Sequence, residues 1–175
     1  MASFTPSFLI YGATGRTGQL VIDALLACGL KPVLGGRDDA RVKALAEARG
    51  LRHRVFELDD RNALDHGITG FRLIVNLAGP FVGTGTALAQ ACLRVGAHYA
   101  DISSEISDYR MLQPLAERAV DAGVMLLPGI GYGFMASDCL AYHAWQRHRT
   151  AVVMQIGMRS SHTGVTRGTL MTLLE

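Results

Sequence analysis

Residues 12–18 are the first segment whose residue types and spacing point to chemistry. They read Gly-Ala-Thr-Gly-Arg-Thr-Gly, directly after the apolar run Phe-Leu-Ile-Tyr and directly before a helix-like segment at 19–28. A strand that enters a helix through such a turn leaves backbone N–H groups and the positive end of the helix dipole free to attract phosphate. We therefore predict that the turn binds a dinucleotide pyrophosphate. The residues assigned to it are Gly12, Ala13, Thr14, Gly15, Arg16, Thr17 and Gly18.

Each of the three glycines has its own expected role in this turn. Gly12 lets the chain turn sharply away from the strand, and Gly15 lets the backbone approach a pyrophosphate without an intervening Cβ. Gly18 lets the helix pack close to the sheet. The alternative is a glycine-rich turn without a ligand, which the matching order of strand, turn and helix disfavours.

The end of the second predicted strand indicates which dinucleotide is bound. The acidic residue that holds a ribose 2′-hydroxyl stands there in NAD-binding proteins, whereas this chain has Gly36 and Arg37. A glycine makes room for a 2′-phosphate and an arginine pairs with it, so we predict NADP. Arg16 and Arg41 would add positive charge. Two alternatives stay open: Arg37 is a solvated turn arginine, or Asp38 binds a ribose hydroxyl.

Two further strand ends carry candidates for cofactor binding. Asp59 follows the third predicted strand, where its carboxylate either accepts from the adenine amino group or caps the next helix. The fourth strand ends in Asn-Leu-Ala-Gly-Pro-Phe at 76–81, where small residues let the backbone approach the nicotinamide half. A purely structural strand exit would look similar. The candidates here are Asn76, Ala78, Gly79 and Pro80.

The catalytic acid of many reductases with this type of fold is absent from the sequence. They use a tyrosine with a lysine four residues later, but Lys31 and Lys43 are the only lysines and neither follows a tyrosine at that spacing. No Ser/His/Asp or Cys/His arrangement stands out. The candidates for proton transfer are Tyr99, Asp101 and Glu105, at the end of the fifth predicted strand. The structural alternative is that Tyr99 packs and Glu105 caps a helix.

Strand and helix patterns alternate six times through residues 1–150. This alternation predicts a doubly wound parallel sheet with right-handed crossovers, an α/β Rossmann fold that binds NAD(P) at the carboxyl ends of its strands. The predicted strands are 8–11, 31–34, 54–58, 73–77, 98–100 and 124–127. The predicted helices are 15–28, 39–49, 61–67, 85–95, 109–122 and 135–147.

Residues 151–175 depart from this rhythm. Residues 151–158 have the pattern of a long strand and residues 166–175 that of the opening of a helix. We interpret them as the beginning of a second, truncated α/β domain for substrate binding or dimerisation; the alternative is a helix docked on a self-contained first domain. An unpaired apolar strand and helix face favour self-association, so we predict a homodimer through 151–175.

Composition excludes several classes of protein. The 175 residues are 49% hydrophobic and 18% charged, as expected for a parallel sheet buried on both faces. A formal net charge of +2 without a long basic run argues against nucleic acid as a partner. No apolar run reaches the length of a transmembrane helix, and residues 1–7 lack the positive region of a signal peptide. We therefore predict a cytoplasmic protein without a transmembrane segment.

The cysteines predict neither a disulfide nor a metal site. Cys28, Cys92 and Cys139 are odd in number, widely spaced and placed in apolar helical segments, which predicts buried, reduced thiols. No cysteine or histidine cluster has the spacing of metal ligands, so no metal is expected.

Taken together, these segments resemble the NADP-binding domain of saccharopine dehydrogenase-like oxidoreductases, a family that includes the mycobacterial trans-acting enoyl reductases. The resemblance implies NADP-dependent hydride transfer and a second domain that carries most substrate contacts. It does not imply saccharopine as substrate, because the members that act on saccharopine tend to have an acidic residue where Leu127 and Pro128 stand. An enoyl or other lipid-linked substrate is equally open. The matching segments are 12–18, 36–37, 76–81, 99–101 with Glu105, 127–133 with 137–138, and 160–169.

A non-catalytic protein is the alternative to an enzyme. The chain could hold NADP without turnover and relay its redox state to a partner, as NmrA-like regulators are thought to do. The missing tyrosine–lysine pair fits both functions. A fold that no longer binds nucleotide is disfavoured by the intact glycine turn.

Overall fold

The computed structural model describes residues 7–157 and residue 159. Its centre is a six-stranded parallel sheet in the order β3-β2-β1-β4-β5-β6. The strands are β1 (Phe8–Tyr11), β2 (Val33–Gly36), β3 (His53–Val55), β4 (Leu73–Asn76), β5 (His98–Asp101) and β6 (Leu126–Leu127). The helices are α1 (Arg16–Ala27), α2 (Asp39–Arg49), α3 (Arg61–Ile68), α4 (Phe81–Val95), α5 (Ile106–Leu112), α6 (Ala116–Asp121) and α7 (Tyr132–Arg147), with a 3-10 turn (Gln113–Leu115) between α5 and α6.

The strand order confirms the predicted doubly wound α/β fold. The chain moves outward from β1 to β3 and then returns past β1 to β4, so the direction of winding reverses between β1 and β4. Tyr11, the last residue of β1, is in register with Gly35 on β2 and Asn76 on β4. Ligands of such sheets bind at this reversal, outside the carboxyl ends of the strands.

Successive residues of β1 face opposite layers of the core. Leu9 is fully buried in a cluster that includes Leu64 of α3 and Leu88 of α4. Ile10 is fully buried in a second cluster that includes Ile22 of α1. Helices therefore cover both faces of the sheet, which explains why its central strand β1 is continuously apolar.

The ends of several helices follow directly from their capping residues. Asp38 caps α2, since its Oδ1 accepts a hydrogen bond from the backbone N–H of Arg41 at 3.1 Å. Gly50 and Gly96 end α2 and α4 in the left-handed conformation, with φ of 62° and 74°. Both helix ends were predicted. Asp60 caps α3, not Asp59: its Oδ1 accepts from two backbone N–H groups at 2.9 and 3.0 Å.

Other predicted boundaries were wrong by several residues. Strand β2 runs through Gly36 instead of ending at 34, and α4 begins at Phe81 instead of 85. The single helix predicted at 109–122 is divided into α5, the 3-10 turn and α6. Pro114 lies in this turn, and a proline has no N–H to continue an α-helical ladder.

The strand predicted at 151–158 is wrong for residues 151–157, which form no strand. A strand needs a neighbour to bond its N–H and C=O groups, and the edge strand β6 pairs only with β5 among the described residues. Val152 is 98% exposed. Residue 158 and the helix predicted at 166–175 lie outside the described part of the chain.

Two of the three cysteines contradict the prediction of buried thiols. Cys28, the C-cap of α1, and Cys139, on α7, which buries none of its residues, are exposed, and only Cys92 is buried. Burial raises the pKa of the Cys92 thiol to about 12. Within residues 7–157 and residue 159, no group of three metal-ligating side chains is assembled. No helix in the same part of the chain is long and apolar enough to cross a membrane.

Candidate functional site

A cleft of about 570 Å³ opens at the carboxyl ends of β1 to β4. Nine of the residues predicted to bind the cofactor line it: Gly12, Thr14, Gly15, Gly36, Arg37, Asp59, Ala78, Gly79 and Pro80. Five others assigned to the same site do not line it: Ala13, Arg16, Thr17, Gly18 and Asn76.

The glycine turn packs tightly on one side and is open on the other. Gly12 has a φ of 82°, and a Cβ there would lie 2.7 Å from the Ala78 nitrogen, so the turn rests on the exit of β4. A Cβ on Gly18 would overlap the Gly12 carbonyl oxygen and lie 2.7 Å from that of Ala13. Gly15 is exposed, and a Cβ there would meet only the Gly12 carbonyl oxygen, at 3.3 Å. Gly12 and Gly18 thus keep the turn compact, and Gly15 leaves it open.

The N-terminus of α1 begins at this turn without a side-chain cap. Gly15 is the N-cap residue, no side chain bonds the first-turn N–H groups, and the first turn has no acidic residue. Since four N–H groups at a helix start have no partner within the helix, they are available to an anion. The turn therefore offers a phosphate site at the floor of the cleft.

Positively charged side chains line the cleft at the end of β2. Arg37 and Arg41 are exposed and both line the cleft. Asp38 stands between them, but its Oδ1 is occupied by the backbone N–H of Arg41. Packing also requires a glycine at position 36, which the sequence did not indicate: a Cβ there would lie 2.8 Å from Cγ2 of Val42 on α2.

The opposite side of the same end of the cleft is acidic. Glu57 and Asp59 follow β3 and are exposed. Beside them lies Tyr11, whose ring is fixed against Phe56 with centroids 5.2 Å apart. Burial first, and then the negative charge of Glu57, raise the pKa of Tyr11 to about 12. Its hydroxyl is therefore a neutral hydrogen-bond donor at physiological pH.

Asn76 shapes the cleft without lining it. Its side chain is fully buried, and its Oδ1 accepts from the N–H of Ala78 at 3.0 Å. Its Nδ2 donates to Oγ1 of Thr84 at 3.0 Å and to the hydroxyl of Tyr99 at 3.2 Å. Thr84 in turn donates to the Ala78 carbonyl oxygen at 2.6 Å. Asn76 and Thr84 thus hold the exit of β4, including Ala78, in a fixed conformation.

Tyr99 and Asp101 lie together beneath this segment, and neither lines the cleft. Tyr99 is fully buried, and its hydroxyl donates to Oδ2 of Asp101 at 2.6 Å. Burial and the adjacent Asp101 carboxylate raise the pKa of Tyr99 far above its usual value. Oδ1 of Asp101 accepts from the N–H groups of Ser103 and Gly129, both at 2.9 Å, and from Oγ of Ser103 at 2.6 Å. Both candidates are thus bonded to other protein groups.

Glu105 is separate from this pair. It is exposed and occupies the N-cap position of α5, as the structural alternative proposed, but its side chain makes no capping bond there. Oγ of Ser104 donates to its Oε1 at 3.1 Å. The structure therefore brings two of the three predicted proton-transfer candidates together and leaves the third on the surface.

Five cleft residues were not named in the sequence analysis: Tyr11, Glu57, Leu58, Gly83 and Thr84. Two more, Asp38 and Arg41, were named only as an alternative ribose ligand and as added positive charge. Most of the five adjoin the predicted strand ends, and the carboxyl ends of parallel strands meet at one edge of the sheet. Extending each prediction by one or two residues would have found Tyr11 and Glu57. Thr84 was missed because the start of α4 was placed four residues too late.

Comparisons with known proteins find a matching domain family and a similar curated protein. Residues 8–127 match the family model of the saccharopine dehydrogenase NADP binding domain. Over 147 residues, the chain is 26% identical to the trans-acting enoyl reductase of Mycobacterium ulcerans, which covers 79% of this chain and 35% of the relative. The chain thus spans about a third of the length of that relative.

Solved structures with the same fold include NADP-binding reductases. The apo saccharopine dehydrogenase (L-Glu forming) of Saccharomyces cerevisiae matches with a TM-score of 0.71 at 22% identity, over 82% of this chain and 32% of that one. The triphenylmethane reductase of Citrobacter sp., complexed with NADP(H), matches with a TM-score of 0.56 at 19% identity, over 70% and 48%. At these identities the matches establish the fold.

Proposed function

The chain belongs to the family of saccharopine dehydrogenase NADP-binding domains, and from that premise we propose that its cleft binds NADP(H) as the cofactor-binding part of an oxidoreductase. One observation carries the proposal. The uncapped N-terminus of α1 opens through Gly15 into a cleft that also contains Arg37 and Arg41. A helix start that receives a pyrophosphate beside two arginines suits a dinucleotide with a further phosphate.

The preference for NADP over NAD rests on the charges at the end of β2. Arg37 is exposed toward the cleft and has no ion-pair partner among the described residues. Asp38, which could otherwise hold a ribose hydroxyl, uses one carboxylate oxygen to cap α2. A 2′-phosphate would therefore meet two guanidinium groups and a carboxylate that is already bonded to the helix.

The nicotinamide half would lie along the exit of β4. Ala78, Gly79 and Pro80 present backbone and small side chains there, and Asn76 holds them in place. Hydride transfer to or from an acyl or other small substrate is the proposed reaction, in keeping with the enoyl reductase named among the relatives. The cofactor supplies the hydride chemistry, and this chain's residues bind and orient the dinucleotide.

Substrate contacts are proposed to come from further polypeptide. Residues 151–175 would begin a second domain, in keeping with relatives that are about three times as long as the aligned segment. Val152, Val153 and Ile156 are exposed apolar residues in this segment. They support a homodimer contact through the same segment. A cytoplasmic location is part of the proposal.

A redox sensor of the NmrA-like type is the second candidate, and one observation favours it. The cleft residues at the nicotinamide end are Ala78, Gly79, Pro80, Gly83 and Thr84. None of these five side chains titrates near neutral pH, and Tyr99 and Asp101 are bonded to each other below them. A sensor needs no proton donor there, whereas an enzyme would need one from another part of the protein. Oxidation of NADPH that depends on an added enoyl or other acyl substrate as hydride acceptor, catalysed by a protein containing this chain and a substrate domain, would exclude the sensor.

The experiment that tests the proposal is a titration of the chain with NADPH, followed by the fluorescence of the reduced nicotinamide. We expect saturable binding that 2′,5′-ADP displaces, since both ligands carry the 2′-phosphate. Absence of binding, or binding that 2′,5′-ADP leaves unchanged, would contradict the proposal.

A further inference from the structure

Tyr11 is a cleft residue whose ring is buried and whose hydroxyl has no bond to the described part of the protein. It is 4% exposed, it lines the cleft, and its ring is held against Phe56. Among the described residues, no group forms a hydrogen bond to its hydroxyl. A hydroxyl that no protein group satisfies takes its partner from the solvent or from a ligand. The structure therefore leaves a donor on an immobilised ring, directed to what occupies the cleft.

The hydroxyl of Tyr99, in contrast, makes its hydrogen bonds within the protein. Tyr99 lies on β5 two residues before Asp101, which is the residue in register with Asn76 and hence level with Tyr11. Its hydroxyl donates to Asp101 at 2.6 Å and accepts from Asn76 at 3.2 Å. The two tyrosines thus differ: Tyr99 is bonded to the protein on both sides, and Tyr11 is open to the cleft. Packing alone would be satisfied by a phenylalanine at position 11, since the hydroxyl of Tyr11 bonds to no described group.

The surroundings of Tyr11 place its hydroxyl at one end of the cleft. The charged groups that influence its pKa are Glu57, Arg37 and Asp59, which all follow β2 or β3. None of them belongs to the exit of β4, where the nicotinamide half is proposed to lie. The glycine turn that binds the pyrophosphate begins at the very next residue, Gly12. A group beside Tyr11 therefore lies between the pyrophosphate and the 2′-phosphate, which is where an adenosine belongs.

We propose that the Tyr11 hydroxyl donates a hydrogen bond to the adenosine half of the dinucleotide and is a specificity-determining residue of the cleft. This inference rests on the proposed function. The hydroxyl meets a nitrogen or oxygen acceptor of the adenosine, while Glu57 and Asp59 face its amino and hydroxyl donors. Tyr11 thereby adds a directional contact to the phosphate contacts of α1 and Arg37, and it does so on a ring that Phe56 already immobilises.

The test is Tyr11→Phe, which removes only the hydroxyl and keeps the ring. We expect the affinity for NADPH and for 2′,5′-ADP to fall by the same factor, roughly three- to tenfold. The affinity for reduced nicotinamide mononucleotide, which lacks the adenosine, should stay unchanged. Tyr142→Phe is the matched control, because Tyr142 is 59% exposed on α7, away from the cleft.

The outcomes separate this assignment from the proposed function. If wild type binds NADPH and Tyr11→Phe binds it equally well, the assignment of Tyr11 is overturned and the proposed function stands. If wild type binds neither NADPH nor 2′,5′-ADP, both are overturned. An equal loss for nicotinamide mononucleotide would mean that the variant distorts the cleft, and it too would overturn the assignment.

A measurement on the wild-type chain covers the case in which the variant does not fold. The near-ultraviolet absorbance of a tyrosine shifts to longer wavelength when its hydroxyl leaves water and donates to an acceptor in a site from which the ligand has displaced the water. We expect such a shift on saturation with 2′,5′-ADP and none with nicotinamide mononucleotide. An unchanged tyrosine spectrum with bound 2′,5′-ADP would overturn the assignment without any variant.

Discussion

Replacing Asp101 should destabilise the fold and leave the affinity for NADPH unchanged. The carboxylate is 1% exposed and accepts four hydrogen bonds, from Tyr99, from the N–H and hydroxyl of Ser103 and from the N–H of Gly129. These partners join the end of β5 to the turn before α7. Since Asp101 does not line the cleft, its loss should act on stability.

The size of the effect follows from the bonds that each variant removes. Asp101→Asn keeps one side-chain oxygen as an acceptor and replaces the other by an NH2 group, which cannot accept a hydrogen bond. A hydrogen bond to a charged group contributes about 1.5–3 kcal/mol, so a loss of that size is expected. Asp101→Ala leaves all four donors without their acceptor, and since each unpaired buried donor costs about 1–3 kcal/mol, a larger loss than for Asp101→Asn is expected. The free energy of unfolding of a whole domain is only about 5–15 kcal/mol.

Urea unfolding followed by far-ultraviolet circular dichroism measures both variants, and NADPH titration of the folded variant measures the cleft. Asp121→Asn is the matched control, since Asp121 is an exposed carboxylate at the end of α6, and its replacement should stay within about 0.5 kcal/mol. An Asp101→Asn variant as stable as wild type would refute the reasoning. If an Asp101 variant is as stable as wild type but loses hydride transfer, measured in a protein that contains this chain and a substrate domain, Asp101 has the catalytic role predicted from the sequence.

Two further predictions concern the thiols and the surface. Cys28 and Cys139 should react with a thiol reagent in the native state and Cys92 only on unfolding, because burial raises the pKa of Cys92 to about 12; rapid reaction of all three would contradict the described core. The exposed Val152, Val153 and Ile156 should support a homodimer, which light scattering detects. A monomer at every concentration, or a dimer that survives replacement of all three by serine, would contradict a contact through this segment.

Local patterns made most of the fold predictable. The run at 8–11, the glycines after it and the capping residues Asp38 and Gly50 each depend on neighbours a few positions away. The sequence therefore placed β1, α1 and α2 almost correctly, and alternation placed the other strands in one sheet. The predicted strand and helix boundaries were wrong where a contact outside the local pattern determines the structure. Gly36 is an example, since its missing Cβ makes room for Val42.

The site was predictable only in part, because its chemistry depends on contacts between distant strands. Asn76 and Tyr99 are 23 positions apart, and nothing local shows that they bond to each other. The same holds for Asp101 and Gly129, which are 28 positions apart. Residue type suggested proton transfer for Tyr99 and Asp101, whereas burial and hydrogen bonding place them in the core below the cleft. In the sequence, Tyr11 is indistinguishable from the apolar residues of its strand, and only the structure shows that it lies beside Glu57.

The measurement that tests the central claim most directly is the ratio of the dissociation constants for NADH and NADPH, in wild type and in Arg37→Ala. A charge-assisted bond to the 2′-phosphate predicts that wild type prefers NADPH and that the variant loses about 10- to 100-fold in affinity for NADPH with little change for NADH. Arg118→Ala, on the exposed side of α6, should match wild type. Equal affinities for the two dinucleotides in wild type, or an unchanged ratio in Arg37→Ala, would contradict the account.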